Sequence, residues 1–104
     1  MGDGNKMIIE LVKGNYDEIL GTHEKIVLDF NAKWCGQCKM VAPKVSEISE
    51  KKGDWLFYSV DADLHQELAE KYSITALPTF VVLEKGKEIA RGGINFFLEW
   101  ADKQ

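Results

Sequence analysis

The chain has 104 residues, enough for one domain with one core and too few for two. Apolar residues make up 45% and charged residues 29%, the balance of an ordinary soluble globular protein. The net charge of -4 and the lack of a basic run exclude a nucleic-acid surface, and no stretch approaches the ~18 apolar residues of a membrane span.

Residues Met1 to Lys6 read as a loose start to a single domain over residues 1–104. Met1 to Lys13 holds acids and a short apolar run (Met7, Ile8, Ile9), without the apolar core and cleavage site of a secretory signal. A cytoplasmic location is the expectation. Met7 to Leu11 predicts a short strand. Asn15-Tyr16-Asp17-Glu18 has the pattern of a capping box opening a first helix, which runs to about Leu20 and stops at Gly21.

Lys25 to Asn31 predicts a strand buried on both faces, because Ile26, Val27 and Leu28 are consecutive and apolar. Asp29 interrupts that run. A second helix is expected from near Cys35 to Lys51, with Val41, Val45 and Ile48 on one stripe, a kink at Pro43 and a stop at Gly53. Trp55 to Asp61 is the next strand. Asp63-Leu64-His65-Gln66 has capping-box spacing, with Leu64, Leu68 and Tyr72 as the stripe of a third helix. Phe80 to Leu83 is a further strand, and Lys85-Gly86 turns it back into Glu88 to Arg91. After Gly92-Gly93, the residues Ile94, Phe97, Leu98 and Ala101 share a face of a last helix. The order βαβαβαββα implies an α/β domain, with one sheet of parallel and antiparallel strands flanked by helices.

Chemistry concentrates in Trp34-Cys35-Gly36-Gln37-Cys38-Lys39, which holds both cysteines of the chain. A strand feeding Cys-X-X-Cys at a helix start is a redox arrangement. Closing so small a loop contributes little stability through chain entropy, so chemistry explains the pair better than stapling. Two cysteines without a nearby histidine pair make a weak zinc site, so no metal is expected. His23 and His65 read as solvated or capping residues, and Phe96, Phe97 and Trp100 as core or interface.

Over nearly its whole length the chain resembles the thioredoxin family. The resemblance rests on Val27-Leu28-Asp29-Phe30, Trp34-Cys35-Gly36-Gln37-Cys38-Lys39, Pro43, Leu77-Pro78-Thr79 and Gly92 in combination. It implies the thioredoxin fold, a central mixed sheet with helices on both faces. It implies that Cys35 is an exposed nucleophile, Cys38 a buried resolving cysteine and Pro78 a cis proline beside them. It further implies a monomer that reduces disulfide-containing proteins, holds no bound cofactor and takes electrons from a separate thioredoxin reductase or its equivalent. Three positions depart from the family's common pattern. Gly36-Gln37 stands where Gly-Pro is usual, Asn31 where Trp is frequent, and Phe57 where a lysine often lies near the buried aspartate.

A helix N-terminus favours the Cys35 thiolate, which is the attacking species. Asp29, a carboxylate in an apolar strand, is the candidate proton acceptor for Cys38. Trp34, Gly36, Gln37, Leu77, Pro78 and Gly92 are the candidate docking surface, where an extended substrate pairs with the Leu77 backbone. Glutamine at position 37 restores an N–H that proline lacks, which should make the couple more oxidising. Two alternatives stand beside a reductase. One is a more oxidising oxidase or isomerase. The other is a binding or redox-sensing module with little turnover.

Overall fold

The computed structural model describes residues 8–11, 16–21 (without the side chains of 17–19) and 25–104. In chain order the elements are β1 (Ile8–Glu10), α1 (Tyr16–Gly21), β2 (Lys25–Asn31), α2 (Gly36–Lys51), β3 (Leu56–Asp61), α3 (Gln66–Lys71), β4 (Thr79–Glu84), β5 (Lys87–Gly92) and α4 (Ile94–Lys103). That is the expected order. The five strands form one sheet in the order β1-β3-β2-β4-β5. β1, β3 and β2 are parallel, while β4 runs antiparallel to β2 and β5 antiparallel to β4. The expected loose N-terminal residues, the Asn15 cap and His23 lie outside the described residues.

Successive side chains of a strand point to opposite faces, which divides β2 between two cores. Ile26, Leu28 and Phe30 pack with Leu20 of α1 and Leu68 of α3. Val27 packs on the other face with Val41, Val45 and Ile48 of α2 and with Phe97 and Trp100 of α4. All four apolar β2 side chains are fully buried, so helices on both faces produce the continuous apolar run. The α4 side is rich in rings. Phe97 stacks on Phe80 with centroids 4.2 Å apart and meets Phe57 edge-on, and Trp100 meets Trp55 edge-on at 4.9 Å.

Two expectations about the third helix are corrected. α3 begins at Gln66, and no side chain at His65, its N-cap, caps it. Asp61 holds the preceding turn instead, its Oδ1 accepting from the Asp63 and Leu64 N–H groups at 2.9 and 3.3 Å. Leu64 therefore precedes the helix and lies exposed, leaving Leu68 as the buried anchor. His65 is buried rather than solvated. Its Nε2 donates to the Leu11 carbonyl at 2.8 Å, and its Nδ1 lies 2.6 Å from the Tyr16 hydroxyl. The ring thus ties the end of β1 and the start of α1 to α3.

At the hairpin, Lys85 and Gly86 both have positive φ, 55° and 81°, the geometry of a type I′ turn whose twist matches paired strands. α2 passes through Pro43, which removes the N–H that would bond the Lys39 carbonyl. Among the described residues no helix is long and apolar enough to cross a membrane.

Phe97 fills the centre of the ring cluster, so Phe97→Ala should cost about 3–5 kcal/mol, read as a lower midpoint in urea denaturation.

Candidate active site

The chain leaves β2 at Asn31, turns, and enters α2 within five residues. The Cys35 N–H donates to the Ala32 carbonyl at 3.1 Å, closing that turn. Cys35 is the N-cap of α2, with extended φ and ψ of -86° and 106°. Its Sγ accepts the Cys38 N–H at 3.1 Å, one of the donors a helix start leaves unpaired. The sulfur thus lies where backbone dipoles favour negative charge, which is the condition for a low thiol pKa once the pair is reduced. The donor reaching the sulfur is the N–H of Cys38, not that of Gln37.

Cys35 and Cys38 are joined as a disulfide, with Cα atoms 5.3 Å apart. The expected contrast of an exposed Cys35 and a buried Cys38 is absent in this oxidised state, where the residues are 6% and 8% exposed. Both cysteines pack with Ala32 and Leu77. The asymmetry between the cysteines is one of surroundings. Cys35 caps the helix, whereas Cys38, one turn in, lines a cavity of about 590 Å³ between α2 and the sheet.

Asp29 lines that same cavity. It occupies the face of β2 that carries Val27, where its Oδ1 is buried and has no hydrogen-bond partner. Burial pushes its carboxyl up to about 7; contact with the Asn31 side chain opposes the rise, and the Glu10 charge adds to it. Asn31 itself donates to the Asp29 backbone carbonyl and to Ser59 Oγ, each at 2.9 Å. Phe57, by contrast, is in register with Val27, one alternate position before Ser59, and fills the ring cluster.

The docking candidates separate into distinct groups. Trp34 is 70% exposed, and its Nε1 donates to Asp63 Oδ2 at 2.9 Å, fixing the indole across the turn before α3. Gly36 and Gln37 are exposed, and a Cβ at Gly36 would meet no atom within 4 Å. The Leu77-Pro78 bond is cis, Leu77 is half-buried against the disulfide, and Pro78 is buried. Gly92 has an internal reason to be glycine: a Cβ there would lie 2.5 Å from the Phe96 Cβ. The sequence reading missed Asp63 as the partner of Trp34, having assigned it to a helix cap. It also missed Glu10, whose place beside Asp29 depends on strand order.

A cysteine pair that can open and close at a helix start makes the chain a thiol–disulfide oxidoreductase, a protein-disulfide reductase by class. The family model for thioredoxin matches residues 7–95. The chain is 40% identical over 75 residues to thioredoxin of Mycoplasmoides gallisepticum, covering 72% of this chain and 75% of that protein. It is 39% identical over 77 residues to thioredoxin-2 of Saccharomyces cerevisiae, covering 73% and 74%. The solved structure of Plasmodium falciparum thioredoxin matches with a TM-score of 0.84 at 30% identity, over 91% of this chain and 97% of that one. The chain belongs to the thioredoxin family and has its fold.

The raised pKa of Asp29 makes a stability prediction. Between about pH 4 and pH 7 the folded chain binds a proton the unfolded chain has released, so stability falls as pH rises through that window. Asp29→Asn removes the effect. It should change little at pH 4 and stabilise the fold by on the order of 4 kcal/mol at pH 8, measured by denaturant titration at both pH values.

Proposed function

We propose that this chain reduces the disulfides of other proteins through Cys35, with Cys38 resolving and Asp29 accepting the proton. The observation that carries the reading is the split in surroundings: Cys35 Sγ takes a helix N–H, while Cys38 shares a cavity with a buried carboxyl whose Oδ1 has no hydrogen-bond partner. In the first step the Cys35 thiolate attacks one sulfur of the substrate disulfide, and the other sulfur leaves as thiolate. In the second, the Cys38 thiol gives its proton to Asp29 and its sulfur attacks Cys35. The mixed disulfide breaks, its electron pair goes to the substrate sulfur, and the Cys35-Cys38 bond closes. The substrate disulfide gains two electrons and the dithiol loses them.

The exposed Trp34, bare Gly36, Gln37 and the Leu77-Pro78 segment surround the disulfide and support docking of an extended substrate there. Gly92 contributes by leaving room for Phe96 at the start of α4. The chain works as a monomer in a reducing compartment such as the cytoplasm. A separate reductase of the thioredoxin reductase type returns electrons to it, and no bound cofactor is needed.

Cys38→Ser should retain the first step and stop at a mixed disulfide, seen by mass spectrometry as a covalent adduct lost on adding dithiothreitol. Cys35→Ser should form no adduct and lose all turnover. An adduct on Cys38 in that variant would reverse the assignment. The midpoint potential of the native couple should lie near about -270 mV, and a value near about -180 mV would make the chain an oxidase or isomerase. Gln37→Pro removes one N–H from the helix start and should lower the potential, measured against a glutathione buffer. An unchanged value would mean that the Cys38 N–H alone sets the thiolate's stability.

A further inference from the structure

Asp29 is joined by a second carboxylate that the reaction just described does not use. In the parallel ladder of β1 and β3, Glu10 is in register with Ser59, and in that of β2 and β3, Asp29 is in register with the same Ser59. Glu10, Ser59 and Asp29 therefore form one row across three adjacent strands. Two strand spacings separate the carboxylate-bearing residues, about 10 Å between their Cα atoms. Both acids line the cavity under α2, so both side chains lie on the same face of the sheet.

Among the described residues, the other charged or titratable groups lining that space are Asp61 of β3, Lys33 of the turn, and Cys38 and Lys39 of α2. None shares the row. Asp61 is in register with Asn31, and its Oδ1 is engaged by the Asp63 and Leu64 N–H groups. Lys33 and Lys39 are exposed, as Glu10 is, but they belong to the turn and to α2 and lie off the row. On the remaining side, β4 places Phe80 opposite Asp29. Glu10 is exposed at the outer end of the row and Asp29 is buried within the sheet, and between them lies Ser59, whose Oγ already accepts from Asn31. A like charge there disfavours ionisation of a buried carboxyl.

We propose that Glu10 is a positioning residue for the resolving step: by its place in the row it biases Asp29 toward the protonated form and so sets the pH range over which Cys38 is activated. This rests on the proposed role of Asp29 as proton acceptor. Burial remains the larger cause of the raised carboxyl, and Glu10 adds to it in the same direction. With Asp29 ionised, the proton of the Cys38 thiol passes to it and the thiolate attacks. With Asp29 protonated, the mixed disulfide waits. Glu10 therefore delays release of the reduced substrate on the acid side of neutrality.

Two measurements separate this from its premise. The first follows the Asp29 carboxyl carbon by NMR across a pH titration of the oxidised protein, in which neither cysteine titrates. Glu10→Gln should lower its midpoint by roughly half a unit, and Glu10→Lys by about twice as much. A midpoint moved by less than about a tenth of a unit, or moved equally by both variants, would overturn the proposal. The second uses reduced protein and Ellman's reagent. Cys35 attack releases the first thionitrobenzoate, and Cys38 resolution releases the second in a unimolecular phase. The pH profile of that phase should shift to lower pH in Glu10→Gln by the same amount as the carboxyl, and a profile that stays in place would sink the functional half. An Asp29→Asn profile identical to the parent's would overturn the proton-acceptor role itself, whatever Glu10 does to the carboxyl.

Discussion

β2 lies between two strands and between two helical layers, so all its apolar side chains are committed to one core or the other. Into this strand the chain inserts one carboxyl. Had Asp29 fallen at an even-numbered position of β2, it would face α1 and α3 and never meet the cysteines. Because it follows Val27 by two, it faces α2 instead. The cost of burying that group is only partly offset by the Asn31 side chain, since Oδ1 has no partner; the rest appears as a raised pKa. The fold thus tolerates a destabilising group beside its redox-active cysteines, a known pattern of functional sites.

The same strand fixes the cysteines. Its last residue leads through a tight turn into the N-cap of α2, and the stripe of Val41, Val45 and Ile48 clamps that helix over the sheet. The antiparallel pairing of β2 with β4 then brings Thr79 opposite Phe30, which places the Leu77-Pro78 segment against the disulfide. Cys35, Cys38, the Asp29 carboxyl and the Leu77-Pro78 segment are all referenced to one strand. A single-residue slip of its register would turn every side chain to the wrong face.

Much of this was readable in the letters. The apolar run of β2, the stripe of α2 and the Lys85-Gly86 turn are local signals, and local signals carry element type and order. The Cys-X-X-Cys pair and Asp29 were visible because each breaks an apolar context. What escaped the sequence was non-local. His65 looked like a solvated residue because nothing in its neighbourhood announces Leu11 and Tyr16, far away in the chain, as partners. Asp63 matched a capping pattern, yet Asp61 took that work and left Asp63 to the Trp34 indole. The similar burial of the two cysteines goes with their packing against Ala32 and the distant Leu77, which the spacing of letters does not express.

The hairpin has a use that follows from its direction. β4 starts beside the disulfide at Thr79 and runs away from it, so Lys85 and Gly86 sit at the opposite end of the sheet, about 20 Å along the strand. Both are exposed, and the turn conformation is local to them. A dye, a surface tether or a fused partner attached at Lys85 would leave the cysteine face open to large substrates. The antiparallel pair that delivers Pro78 to the active site also gives the molecule a handle remote from it.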